Sequence, residues 1–486
     1  MHAKIIIRVF ALVAIILSAF MLPPFIMALS TGADSVIRGF ELTYIALITV
    51  AVLGLTITHK VRFKQLSVRD SFLLVFSVWL GLSLFAALPY YLSGTIKTAS
   101  DAFFEAASGI TCTGASIISN LAVVHPSMLL WRALSHWLGG MGIIMLTVAL
   151  LPFFGIGGLQ LMKAEQHGVE GLKMTSRIAE TARYLWFIYL SFTIVVVMLL
   201  RATGMPMFEA ILYSFSVVAS GGLAPHSQGV GFYESHYIHW IMIIAMLCAG
   251  ASFPLYFNLF SGKLDKVFKN SELKAYLLIT IVASMVVATA TYISGSYDSI
   301  ADSVRNGFFH VSSILSTTGF SIADYSVWAP IAQFVLFMLY FIGGCSGSTA
   351  GGVKVVRLVV IFKQAMIEIR RLLHPHGVFP LRLNGASVPK EAVYSVSGFF
   401  ILYLFTVLFV AAGASLAGVS IRTALVSALA MVGNVGMGIG PEIGPGCDYS
   451  FYPWYVKCLF GLAMIVGRLE LYTFYALLTP FFWRNK

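Results

Sequence analysis

Long apolar runs alternate with short polar or basic connections along the whole chain. Two runs come first, near 9–29 and 40–58. Eight more follow, near 71–93, 127–152, 184–204, 236–260, 275–294, 328–362, 393–418 and 451–482. Each is at least about as long as the ~20 apolar residues a helix needs to cross a bilayer, so the pattern predicts ten spans. The first run follows Lys4 and Arg8 and imitates a secretory leader. It is too long for one, and a second run follows at once, so it reads as an uncleaved first helix.

Between the two runs of each later pair lies a shorter apolar window with a polar or glycine-rich tail. The four windows read AFFEAASGITCTG, AILYSFSVVASGG, GFFHVSSILSTTG and ALVSALAMVGNVG. They end on Gly114, Gly222, Gly319 and Gly436, which are 108, 97 and 117 residues apart. Twelve residues before each glycine stands a small residue: Ala102, Ala210, Gly307 or Ala424. Six before it stands another: Ser108, Ser216, Ser313 or Ala430. A period of about 100 residues is too long for a solenoid and suits a small membrane unit occurring four times.

Two to three helical turns cannot span a bilayer, so each window predicts a half-helix followed by extended, re-entrant backbone. Such backbone persists at membrane depth only where it is buried in protein or lines water. Glycine permits φ > 0, which lets consecutive carbonyls face one side. Four such strands about one axis form rings of carbonyl oxygens able to replace a cation's hydration shell. Glycines that merely pack helices are common in membranes, but one internal spacing kept four times favours the ion-facing strand.

Composition agrees. The chain is 59% hydrophobic and 10% charged, with mean hydropathy +0.89, against about 25% charged residues in soluble proteins. The net charge of +11 would suit nucleic acid if it were clustered on a soluble face, but it is distributed as a topology signal. With the N-terminus in the cytoplasm, 23 of the 31 Lys and Arg fall on inside segments and five outside. Arg132, Lys457 and Arg468 fall within or beside spans. Arg132 and Lys457, near outer span ends, read as snorkelling or packing charges.

Eleven of the twenty acidic residues lie outside, including Asp101, Glu105, Glu209, Asp298, Asp302, Asp324, Glu442 and Asp448. They predict a negative mouth that concentrates cations, or carboxylates favoured at helix starts. The fold expected is an all-α polytopic membrane protein. Four tandem span–half-helix–span repeats surround a pseudo-fourfold pore, with two extra N-terminal spans. The units run 1–69, 70–183, 184–274, 275–392 and 393–486.

One span is interrupted. FVLFMLYFI is followed by GGCSGSTAGG (Gly343–Gly352) and then VKVVRLVVIF, and five glycines in ten residues cannot hold a straight helix. The stretch reads as an intramembrane loop on the cytoplasmic side of the strands: a gate, or else a fixed glycine kink. It lacks the GxxxxGK[ST] pattern of a phosphate loop, and Lys354 is misplaced for one. Arg468 lies within the last apolar run. Its cost there, from about 3 kcal/mol upward, demands a water-filled interior or a partner such as Glu470. His136 and His310 read as core histidines. The five cysteines, Cys112, Cys248, Cys345, Cys447 and Cys458, form no disulfide or metal-ligand pattern. No catalytic motif is present, and the chain does not read as an enzyme.

The four repeats, with TCTG at 111–114, ASGG at 219–222, STTG at 316–319 and GNVG at 433–436, resemble the Trk/Ktr/HKT superfamily of potassium transport proteins. STTGFS and GGCSGSTAGGVKVVR carry the resemblance most specifically, and it covers nearly the whole chain. It implies a potassium-selective pore, also passing rubidium, in the bacterial cytoplasmic membrane with both termini cytoplasmic. An ion-coupled symporter, driven by protons or sodium, is the alternative. The implied filter comprises Thr111, Cys112, Thr113 and Gly114; Ser220, Gly221 and Gly222; Thr317, Thr318 and Gly319; and Asn434, Val435 and Gly436. Repeats two and four replace the Thr-rich strands of the others with Ser220-Gly221 and Asn434-Val435.

The implied gate comprises Gly343, Gly344, Cys345, Ser346, Gly347, Ser348, Thr349, Ala350, Gly351 and Gly352, with Arg468 below the filter. The resemblance also implies a homodimer in membrane lipid on a cytosolic ring of TrkA-like subunits. Those subunits, and not this chain, would bind ATP/ADP or NAD(H). The basic loops, especially 354–390, are the docking surfaces it suggests.

Overall fold

The computed structural model describes residues 3–59, 68–150 and 174–484. Lys60, Arg62, Lys64, Lys163, Lys173 and Lys486 of the charge count, and the last two residues of the run at 127–152, lie outside them. The chain opens with α1 (Ala3–Thr31) and α2 (Asp34–Ile57). Small residues let these two helices meet closely: a Cβ on Gly54 would stand 2.7 Å from the Ala11 methyl.

The first unit follows as α3 (Val68–Leu92), half-helix α4 (Ala99–Thr111) and α5 (Pro126–Leu150). The second has α6 (Met174–Ala202), half-helix α7 (Met207–Val218), α8 (His236–Gly250) and α9 (Phe253–Phe260), then the short α10 (Leu264–Phe268). The third has α11 (Ser271–Ile293), half-helix α12 (Ile300–Leu315), α13 (Pro330–Leu339) and α14 (Val355–Leu373). A hairpin, β1 (Arg382–Leu383) and β2 (Ala386–Ser387), leads to the fourth. That unit has α15 (Lys390–Ser415), half-helix α16 (Ile421–Val432), α17 (Trp454–Arg468), α18 (Leu471–Leu478) and α19 (Pro480–Trp483).

Among the described residues six helices, α1, α2, α3, α6, α11 and α15, are long and apolar enough to cross a membrane singly. They turn large apolar side chains outward, such as Ile45, Phe187, Leu278 and Ile401, as a lipid-facing surface requires. The half-helices α4, α7, α12 and α16 are buried along most of their length.

Two of the predicted spans are bent. The run at 236–260 bends by 96° between α8 and α9, and the run at 451–482 by 114° between α17 and α18. At the first break Pro254 opens the new helix, because proline suits a helix start and disrupts an interior. At the second, Glu470 takes φ +63°, a left-handed conformation that ends α17. The run at 328–362 also differs in its second half. It continues as α14 to Leu373, whose exposed face carries Phe362, Ile369 and Leu372.

The acidic residues at the half-helix starts do not stand free. Asp101 binds Lys457 at 2.8 Å, Glu105 binds Arg132 at 2.8 Å, Glu209 binds His226 at 2.7 Å and Asp302 binds Arg305 at 2.7 Å. Of the two readings for Arg132 and Lys457, packing holds: both are buried, Arg132 on the buried Glu105 and Lys457 on the half-buried Asp101. Arg132 also donates to the Ala224 carbonyl at 3.3 Å and to Ser116 Oγ at 3.1 Å, tying the first unit to the second. These four carboxylates are therefore engaged at the half-helix starts, while Asp448 lies on the wall of the vestibule.

Removing one partner of a buried pair leaves an uncompensated charge and costs about 3–5 kcal/mol. Thermal unfolding in detergent should show E105A destabilised by about that amount. E105A/R132A should lose less than the sum of the two single variants. D302N, which breaks a more exposed pair on one helix, should shift stability by no more than about 1 kcal/mol.

Candidate functional site

The four half-helices end in one and the same turn. The residue just before each window's glycine donates its N–H to the small residue five positions earlier. The bonds are Thr113 to Ser108 (2.9 Å), Gly221 to Ser216 (2.8 Å), Thr318 to Ser313 (2.8 Å) and Val435 to Ala430 (2.9 Å). This is the six-to-one bond of a Schellman cap, which needs a left-handed residue at the turn. Cys112, Ser220, Thr317 and Asn434 fill that position with φ of 54°, 55°, 53° and 53°. Of these only asparagine adopts that region with ease, and a β-branched threonine there is strained. Such strain costs about 1–3 kcal/mol per residue and persists only where the surroundings enforce it.

Two residues later the backbone turns left-handed again, at Gly114 (83°), Gly222 (81°), Gly319 (79°) and Gly436 (82°). The four strands thus share one dihedral pattern although their sequences differ. They also close on one another in order. A Cβ on Gly114 would lie 2.2 Å from the Gly221 carbonyl oxygen, and one on Gly222 2.0 Å from that of Thr318. One on Gly319 would lie 2.2 Å from the Val435 oxygen, and one on Gly436 2.1 Å from the Thr113 oxygen. Each glycine is therefore seated against the next strand's carbonyl, and the fourth returns to the first. All four glycines line one open vestibule, with Arg132, His226 and Asp448 also on its wall.

Behind the ring the backing differs by unit. Thr113 Oγ1 lies 2.7 Å from Thr111 Oγ1, and Thr318 Oγ1 lies 2.7 Å from Ser316 Oγ. Asn434 Nδ2 donates to Thr113 Oγ1 and to the Met464 carbonyl, both at 2.9 Å. Gly221 has no side chain because His136 occupies its place: a Cβ there would fall 1.9 Å from Nδ1. His136, expected as a core residue, is also 3.1 Å from Ser216 Oγ and so supports the second strand.

The glycine-rich loop Gly343–Gly352 lies directly against the other side of these strands. Thr349 Oγ1 is 2.8 Å from Ser220 Oγ, and Gly351 N donates to Thr317 Oγ1 at 2.6 Å. A Cβ on Gly351 would meet Asn434 Cβ at 2.7 Å. The loop thus touches the strained residue of strands two, three and four. It also satisfies the break between α8 and α9: Cys345 N donates to the Gly250 carbonyl at 2.8 Å, and Phe253 N to that of Gly347 at 3.0 Å. Gly343 N donates to the Val353 carbonyl at 2.8 Å and closes the loop's neck.

Arg468 is buried, and its Nε, Nη1 and Nη2 have no hydrogen-bond partner among the described residues. Cys112 of the first strand and Lys354 are among its electrostatic neighbours. Glu470, a candidate partner, binds Arg357 at 2.7 Å instead. Arg357 also lies 3.7 Å over the Phe399 ring. Glu272, unmarked by any sequence motif, is buried and contacts the loop. An acidic residue in a helix's first turn carries no distinguishing signal.

A helical, lipid-facing chain whose four re-entrant half-helices close a ring of backbone carbonyls defines a polytopic membrane transport protein. More particularly, the chain belongs to the TrkH family of cation transport proteins, whose model matches residues 36–481. It is 36% identical to the Trk system potassium uptake protein TrkH of Halomonas elongata, over 100% of both chains. It is 33% identical to TrkG of Escherichia coli K12, over 100% of this chain and 99% of the other. The crystal structure of the potassium transporter TrkH from Vibrio parahaemolyticus matches with a TM-score of 0.91 at 33% identity, covering 100% of both chains. The chain is an ion transport protein of the membrane and not an enzyme.

Gly319 and Gly418 both have φ near +79°, but only Gly319 abuts a carbonyl, while nothing lies within 4 Å of a Cβ on Gly418. G418A and G319A carry the same backbone strain, about 1–3 kcal/mol. Ion flux in proteoliposomes should survive G418A and fall at least about tenfold in G319A, because displacing one strand opens the ring.

Proposed function

We propose that the chain conducts potassium, and rubidium in its place, down its electrochemical gradient through the ring of four strands. The observation that carries this reading is the closed order of glycine-to-carbonyl contacts from strand one round to strand four. Carbonyl oxygens converging on one axis substitute for the water around a partly dehydrated cation. The half-helices add to this, since their C-terminal ends carry partial negative charge toward the same point. The potassium transport named for the similar TrkH and TrkG proteins supports the choice of ion.

The loop Gly343–Gly352 is the gate; its contacts with three of the four strands support this reading. The unpartnered guanidinium of Arg468 is an electrostatic barrier beneath the ring, repelling a cation while the loop is closed. The units 70–183, 184–274, 275–392 and 393–486 act as quadrants of the pore, with 1–69 beside them. The charge distribution supports cytoplasmic termini. The basic segment 354–390, with Arg370, Arg371 and Lys390 among its charges, is where a cytosolic nucleotide-binding ring of the TrkA kind would act, on a homodimer.

Uptake of rubidium tracer into potassium-loaded proteoliposomes tests this reading. External potassium should block uptake, sodium should block it weakly, and a protonophore should leave it unchanged. Uptake that collapses with the protonophore while the membrane potential is clamped would replace the channel with proton-coupled transport. Excising the loop across the Gly343–Val353 bond should raise uptake; unchanged uptake in folded protein counts against the gate.

A further inference from the structure

Glu272 is the second residue of α11, is 8% exposed, and has no part in the pathway described above. One of its oxygens, Oε1, accepts from two backbone amides on opposite sides of the loop. Ser346 N, inside the loop, donates at 2.6 Å, and Val356 N, beyond its end, donates at 3.2 Å. Val356 N belongs to the first turn of α14, where amides lack helical partners, so the carboxylate caps that helix from another element. Most other loop anchors described here join neutral groups, such as Thr317 Oγ1 to Gly351 N and the Gly250 carbonyl to Cys345 N. Hydrogen bonds to a carboxylate are roughly twice as strong as these.

The helix start that carries Glu272 is itself held from the connection between α14 and α15. The hairpin turn Asn384-Gly385 has φ of 51° and 85°, the pattern of a tight two-residue turn. Asn384 Oδ1 accepts from Ser271 N at 2.7 Å, the residue next to Glu272. Asn270 Oδ1 accepts from Leu273 N at 2.8 Å on the same helix start. Around the hairpin, Leu381, Leu383 and Val388 are buried with Val356, Val360 and Ile367 of α14. Lys363 Nζ of that helix donates to the Arg382 carbonyl at 2.9 Å. Hairpin, α14 and the start of α11 thus form one connected assembly that includes Glu272.

We propose that Glu272 is the positioning residue of the loop: its carboxylate staples the two sides of the loop, and the hairpin sets that staple through Asn384. The proposal rests on reading the loop as the gate. Movement of the hairpin displaces Glu272 and frees the loop at both ends, so control from the cytoplasm needs no contact with the ring.

The test uses the full-length protein in proteoliposomes without any regulator. It reads rubidium flux, the rubidium-to-sodium ratio, and labelling of Cys345 by N-ethylmaleimide resolved by peptide mass spectrometry. Cys345 is fully buried in the loop and reports its release. E272A should raise flux at least about tenfold, equivalent to about 1.4 kcal/mol. It should speed Cys345 labelling and leave the ion ratio unchanged, since the ring is untouched. E272Q keeps an acceptor oxygen for both amides and should give a smaller rise in flux and labelling. N384G removes the cap without straining the turn and should also raise both.

Wild-type flux and labelling in folded E272A overturns the proposal. Where E272A does not fold, wild-type labelling in E272Q does so instead. Wild-type behaviour of N384G overturns the hairpin's part. If excising the loop raises flux and E272A does not, the staple fails and the gate stands. If excising the loop leaves flux unchanged, the gate reading fails, while Cys345 labelling still reports whether Glu272 holds the loop.

Discussion

Backbone amides and carbonyls cannot be left facing lipid, and that constraint organises this molecule. Four times the chain stops a helix after 12 to 16 residues, too few to cross a bilayer, and leaves carbonyls without helical partners. Each time the same cap turns the backbone left-handed, and each time the strand that follows is buried among other strands. The ring is thus a place where unpaired carbonyls are protected from lipid by protein on every side and open only toward a vestibule. Gly114, Gly222, Gly319 and Gly436 are glycines because the next strand's carbonyl occupies the space a side chain would take.

The same constraint explains the other irregular backbone. The spans after the second, third and fourth half-helices are all interrupted, and the glycine-rich loop of the third fits into the break of the second. Broken helix ends and loop amides satisfy one another, so the loop belongs to the interior. Its contacts fall on Ser220 and Thr317, two of the residues held in strained left-handed geometry. The strain in the ring and the position of the loop are therefore linked through shared hydrogen bonds.

Charge is placed by the same logic. Carboxylates at the half-helix starts meet Arg132, Lys457, His226 and Arg305, and the buried Glu272 meets backbone amides. Arg468 is the contrast, buried with no hydrogen-bond partner among the described residues. A charge costs least inside protein when it is paired.

Much of this was legible in the chain. The four windows, their glycines and the small residues six and twelve positions earlier were visible because spacing along a helix is a local property. The structure adds the reason: the carbonyl of the residue six before accepts the cap's N–H, and Gly307 lets its half-helix approach the Ser284 carbonyl. The interrupted third-unit span was visible from its glycines. The bend at Pro254 had a signal that the apolar run masked, and the bend at Glu470 had none, because its left-handed φ depends on its surroundings. Arg132 and Lys457 could not be assigned partners, since Glu105 and Asp101 lie far away in sequence. Glu272 was invisible for the same reason. Periodicity and local propensity determine where helices start, stop and re-enter. Only the tertiary structure decides which distant donor satisfies which buried acceptor, because that depends on how the helices pack against one another.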